Sequence, residues 1–256
     1  MIYSSTVYDT LQDAVRKDRR GRSLSIEEFN NLSVIVNHSL FSDFYDKFEG
    51  NIESSDALGG FKVFEYGIDL TANANQTAAV GTLPANYYHI IGQPKTIGGL
   101  APFTVYVVDI VTAQEHSIRI EDYLTQPTTI HPMCQIGGVN ASEEMQIRVY
   151  PYSIAKVYID YLREPDTPYL DFYINDTTLD YTYMASGVNV TVPLGSTYRD
   201  GTPGVTTEAS LTVNWEYDND DIELIIGKFL GLMGIQLESE ILIQSGALIE
   251  SKKQMK

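Results

Sequence analysis

Three textures of apolar spacing divide the chain. In the first, Tyr8, Leu11 and Val15 recur at helical spacing until Gly21 interrupts them. A second amphipathic run follows, in which Phe29, Leu32, Val36, Leu40, Phe44 and Phe48 form one stripe while Glu27, Asn31 and Asp46 take other faces. Ser25 and Glu28 stand just ahead of it, an arrangement in which a hydroxyl and a carboxylate each satisfy a backbone N–H that the first turn leaves orphaned. Gly50 is placed to stop this helix. The plainest role of the stripe is to line the chain's own core.

From residue 61 to 174 the texture changes to short runs rich in valine, isoleucine, tyrosine and threonine, at 62–66, 87–91, 104–110, 146–149 and 156–161. The gaps between them are too short for helical crossovers, which predicts an antiparallel sheet or sandwich. Gly98-Gly99 and Gly137-Gly138 read as turns, because no downstream lysine and hydroxyl make a phosphate loop of them. Residues 176–213 alternate threonine, tyrosine and glycine around turn chemistry and predict an extended hairpin. The third texture is helical again. Asp218, Asp220 and Asp221 suit the positive end of a helix, Ile222, Ile225, Ile226, Phe229 and Leu230 give it an apolar face, and Gly234 breaks it. Residues 238–253 make a second helix whose end carries Lys252 and Lys253. The expected architecture is α+β: an N-terminal helical region (1–50), a β-rich domain (51–215) with a hairpin insertion (176–213), and a C-terminal helical pair (216–256).

Charge narrows the function. The 256 residues hold 34 acidic and 17 basic side chains, a net charge of −17. Such a surface repels phosphates at long range, which disfavours sequence-specific nucleic-acid binding. Five of the cations, Arg16, Lys17, Arg19, Arg20 and Arg22, are bunched together. They read either as a solvated helix end or as a contact with DNA or an acidic neighbour. No run of about 18 apolar residues is present to span a bilayer. The start of the chain lacks the layout of a signal peptide, so synthesis in the cytoplasm is expected.

The chemistry of catalysis is not legible. Cys134 is the only cysteine, which removes disulfides and multi-cysteine zinc sites and leaves a small apolar filler. His131 and Cys134 supply at most two metal ligands, and the others would have to come from scattered positions. His38, His89, His116 and His131 form no H-E-x-x-H, and no G-x-S-x-G elbow occurs. No enzyme activity, cofactor or metal is expected.

Four landmarks follow one another in order. The first is Phe29-Asn30-Asn31-Leu32 with Val36 and Leu40; the second is Leu83-Pro84-Ala85-Asn86-Tyr87-Tyr88-His89. The third spans residues 115–168, with Glu115, Arg119, Leu124, Pro127-Thr128, Pro132, Ile147-Arg148-Val149-Tyr150-Pro151, Val157 and Tyr161-Leu162-Arg163-Glu164-Pro165. The last is Trp215 with Asp221, Ile225, Leu230, Gly234-Ile235 and Leu237. Together they resemble the virion structural proteins of crAss-like and related Bacteroidetes phages that build neck and tail-barrel rings. In that family the closing module follows soon after the Tyr-Leu-Arg-x-Pro turn, whereas here residues 176–213 intervene.

The resemblance implies a structural subunit of a head-to-tail connector or tail barrel, made in the bacterial host cytoplasm and carried in the virion. It implies a dodecameric homo-oligomeric ring stacked on the portal or neighbouring ring proteins. Packaged DNA would pass through the lumen without sequence-specific binding, and no membrane is involved. Ring closure needs two different patches that meet head to tail, and the 18 tyrosines suit wet contact surfaces. The interface candidates are the basic cluster, Arg163 and Pro165 of the turn motif, and Tyr181 and Tyr183 of the hairpin. The alternative is a glycan- or surface-binding β-rich tail module, since aromatic platforms suit sugar faces.

Overall fold

The computed structural model describes residues 1–17, 24–48, 58–98, 104–201, 204 and 207–234. Within it the fold is α+β, with two N-terminal helices, several mainly antiparallel sheets and a C-terminal helix packed on the N-terminal pair. The chain forms two compact units, one from Met1–Gly60 with Pro165–Lys256 and the other from Phe61–Glu164.

Helices α1 (Ser4–Lys17) and α2 (Ile26–Phe48) open the first unit. The capping box forms: Glu28 N–H donates to Ser25 Oγ, and Ser25 N–H donates to Glu28 Oε2, both at 3.1 Å. The stripe faces inwards, with Phe29, Val36, Leu40 and Phe44 all buried. Asn30 is buried beside it because its amide does what a strand edge would do. It donates to Leu170 O at 2.9 Å and accepts from Leu170 N–H at 2.8 Å, leaving no polar atom unpaired.

The second unit contains β1 (Lys62–Asp69), β2 (Thr71–Ala72), β3 (Ala79–Thr82), β4 (Tyr87–Ile90), β5 (Lys95–Gly98), β6 (Thr104–Val107) and β7 (Asp109–Ile110). It continues with α3 (Ala113–Glu121), β8 (Met133–Val139), β9 (Met145–Tyr150) and β10 (Lys156–Arg163). One sheet has the order β1-β10-β5-β6, with β4 also on β10, and the other runs β2-β3-β9-β8-β7. Ile68, Val157, Ile159 and Tyr161 of the first sheet share one core cluster with Cys134, Ile147 and Val149 of the second. The two sheets therefore sandwich a single apolar layer, as the alternation of valine and isoleucine requires.

The chain then returns to the first unit through β11 (Asp171–Asn175), β12 (Tyr181–Met184), β13 (Asn189–Thr191), β14 (Ser196–Tyr198), β15 (Thr207–Ala209) and α4 (Ile222–Leu232). Phe229 of α4 stacks on Phe29 at 5.2 Å and meets the edge of Trp215 at 5.9 Å, which locks the closing helix to the opening one. Gly234, at φ +63, ends the segment as its lack of a Cβ permits.

Four expectations change. Residues 61–174 hold a helix, α3, and it serves as the crossover of one parallel pair, β7 with β8. Gly137-Gly138 is a bulge inside β8, at φ +132 and +84, and not a turn. Residues 176–213 are only partly a hairpin: β12 and β14 flank β11, β13 pairs β15, and Met184, Val192 and Tyr198 bury a core of their own. These strands group with the helices, so the 51–215 division gives way to the two units above. Residues 238–253, expected as a second C-terminal helix, and Gly50 lie outside the described residues.

Candidate assembly interface

Helix α3 is built from the residues that open the third sequence landmark. Glu115 N–H donates to Thr112 Oγ1 at 3.2 Å, and Thr112 N–H donates to Glu115 Oε2 at 2.9 Å. Those backbone and side-chain bonds from Thr112 hold the Glu115 carboxyl below its ordinary range. Helices usually bury apolar residues, but no residue of α3 is buried. It is tied to its unit by polar ones instead. Arg119 reaches Asp109 at 3.0 Å, and His116 lies on Tyr150 with ring centroids 4.2 Å apart. His116 and Arg119 share a face at i, i+3 spacing, and Ile118 points away from it, 61% exposed.

The segment continues into a hydrogen-bonded tip. Leu124 N–H donates to Asp122 Oδ1 at 3.0 Å, Thr125 N–H to Asp122 O at 3.0 Å, and Gln126 Nε2 to Ile120 O at 2.9 Å. This Asx turn holds Tyr123 and Leu124 outwards, 87% and 88% exposed.

The first unit carries a groove of about 650 Å³ between α1 and β12. It gathers Arg16, Tyr181 and Tyr183 of the sequence candidates with Asp9, Asp13 and Asp180. Tyr183 donates its hydroxyl to Asp9 Oδ2 at 3.2 Å, and that carboxylate, helped by burial, holds the Tyr183 phenol above its ordinary range. Lys17 closes α1, while Arg19, Arg20 and Arg22 lie outside the described residues. Arg163, at the end of β10 in the other unit, sits 5.4 Å from the Phe61 ring and donates to Glu164 O at 3.4 Å. Glu164 N–H donates to Asn86 O at 2.8 Å, and Tyr161 donates to Asn86 Oδ1 at 3.1 Å, which joins the second landmark to the turn of the third. Pro165 is where the chain passes back to the first unit.

Among the described residues no group of three or more His, Cys, Asp or Glu is placed to hold a metal ion. Cys134 lies in the sandwich core and His131 is exposed. No described helix is long and apolar enough to cross a membrane. The sequence does not single out Ile118, Tyr123 or the tip as interface candidates, although Thr112-x-x-Glu115 is a legible helix start. No family model matches the chain, and no curated protein matches it in sequence.

Proposed function

We propose that the chain is a structural ring subunit of a phage head-to-tail connector or tail barrel and forms part of the DNA conduit below the portal. The observation that carries this reading is α3 with the turn after it: the helix binds its own unit through His116 and Arg119 and turns Ile118 to solvent, and the turn holds Tyr123 and Leu124 there. Exposed apolar residues held on a rigid element mark contact surfaces, and a ring subunit needs such a surface on every copy. The net charge of −17 suits a channel wall that lets DNA slide. Neither catalysis nor a cofactor is part of the reading. Negative-stain imaging of the purified protein and of partly disrupted virions tests it: closed rings, or a label confined to the neck or tail barrel, are expected. A monomer absent from virions would end it.

The groove of the first unit favours a second reading, a glycan-binding tail module. Tyr181 and Tyr183 offer aromatic faces beside carboxylates that accept sugar hydroxyls. Glycan-array binding by the monomer, lost in Tyr181→Ala, would select it over the ring.

A further inference from the structure

The second unit carries, besides its exposed tip, a groove of about 470 Å³ lined by Thr71, Asn73, Thr77, Ala78, Arg148 and Tyr150, among others. It lies on the outer side of the β2-β3-β9 strands, since Thr71, Val80 and Arg148 are cross-strand partners whose neighbours Ala79 and Val149 are buried. Apart from Arg148 its lining is neutral, and no carboxylate lines it among the described residues. Arg148 makes no ion pair with any described residue, in a chain where acids outnumber bases by two to one. The tip has the opposite character: Tyr123 and Leu124 project directly after Glu121 and Asp122.

We infer that the Tyr123-Leu124 tip of one copy seats in the Arg148 groove of the next, with Glu121 and Asp122 facing the Arg148 guanidinium. The contact rests on the ring reading and names its subunit interface. Three features of the molecule favour a second copy as the occupant. Charge is complementary, acidic on the tip and basic in the groove. The Asx turn fixes the tip before it binds, so little conformational freedom is lost on docking. Tip and groove are different patches of one unit, which is what a head-to-tail contact closing into a ring requires. The tip cannot be filling its own copy's groove, because both side chains stand in solvent.

The test uses the full chain, with sedimentation velocity over a concentration series and electron microscopy of the same samples. Leu124→Asp is expected to weaken self-association by about thirtyfold, the loss typical of an interface anchor. Arg148→Glu and Glu121→Arg should each weaken it, the more so at low salt, and the double charge reversal should regain much of the loss. All three positions are exposed, so the thermal transition of the dissociated chain should not move. A wild-type chain that stays monomeric throughout overturns the contact. So do oligomers that survive both Leu124→Asp and Arg148→Glu, or a double reversal no better than either single one; closed rings in those samples would leave the ring reading standing. Open or irregular oligomers dissolved by the same substitutions would keep the contact and sink the ring.

Discussion

Asp171 shows how one buried carboxylate is made tolerable. Tyr198 donates to its Oδ2 at 2.7 Å, Leu211 N–H to the same oxygen at 2.9 Å, and Arg199 and Phe172 N–H to Oδ1. Burial, and then the bond to Asp171, pushes the Tyr198 phenol well above its ordinary range. A buried ion pair gains its partners at the cost of desolvation, so removing one member is far worse than removing both. Asp171→Ala should therefore destabilise the first unit by about 3–5 kcal/mol, and Asp171→Ala with Arg199→Met by much less than the sum of the singles. Additive losses in chemical denaturation would show that the residues do not act as a pair. Cys134 is the opposite case, a buried group with no polar task. Burial first, and Asp109 second, push its thiol up to about 12. The native protein should resist a thiol-specific disulfide reagent at neutral pH and react only on unfolding, since the thiolate is the nucleophile.

At the scale of elements, α3 is held by a cap, an ion pair and a ring contact, with no apolar face beneath it. That leaves it open to a change of pH. Partial burial lowers the His116 pKa, and its Nε2 has no hydrogen-bond partner among the described residues. A depressed folded value means the neutral ring is favoured in the fold. The stabilisation is complete above the ordinary imidazole value of 6.5 and drains away as pH falls through the depressed one. The hydrogen-exchange protection of residues 113–121, with the intrinsic pH dependence of amide exchange divided out, should fall as pH drops below 6.5, and His116→Gln should flatten the profile. Equal pH dependence in both proteins would move the cause elsewhere. Strands β11 to β15 behave differently. The turn-rich stretch that reads as an extended hairpin buries Met184, Val192 and Tyr198, so it is part of a core and its removal should unfold the first unit.

At the scale of the molecule, the Phe61–Glu164 unit is continuous in sequence while the helical unit is made of two segments around it. A continuous sandwich with one shared core is equipped to fold alone. Residues 61–164 expressed by themselves should melt cooperatively, whereas joining 1–60 directly to 165–256 tests whether the helical unit needs the insertion; a fragment with no transition would show that the sandwich borrows stability. The sequence by itself determined what local physics dictates. The Ser25 and Glu28 box, the stripe of α2, the run of β-strands, the aspartates before α4 and its stop at Gly234 all depend on neighbours a few residues away. It also held the Thr112-x-x-Glu115 start of α3, a signal overridden by the β-rich texture around it. Only the tertiary structure decided the rest. Asp171 meets Arg199 across 28 residues, Asn30 reaches Leu170 across 140, and Arg16 joins Tyr181 and Tyr183 in one groove. Those pairings follow from which faces the packed layers bury, and spacing along a chain carries no record of which distant face will be its partner.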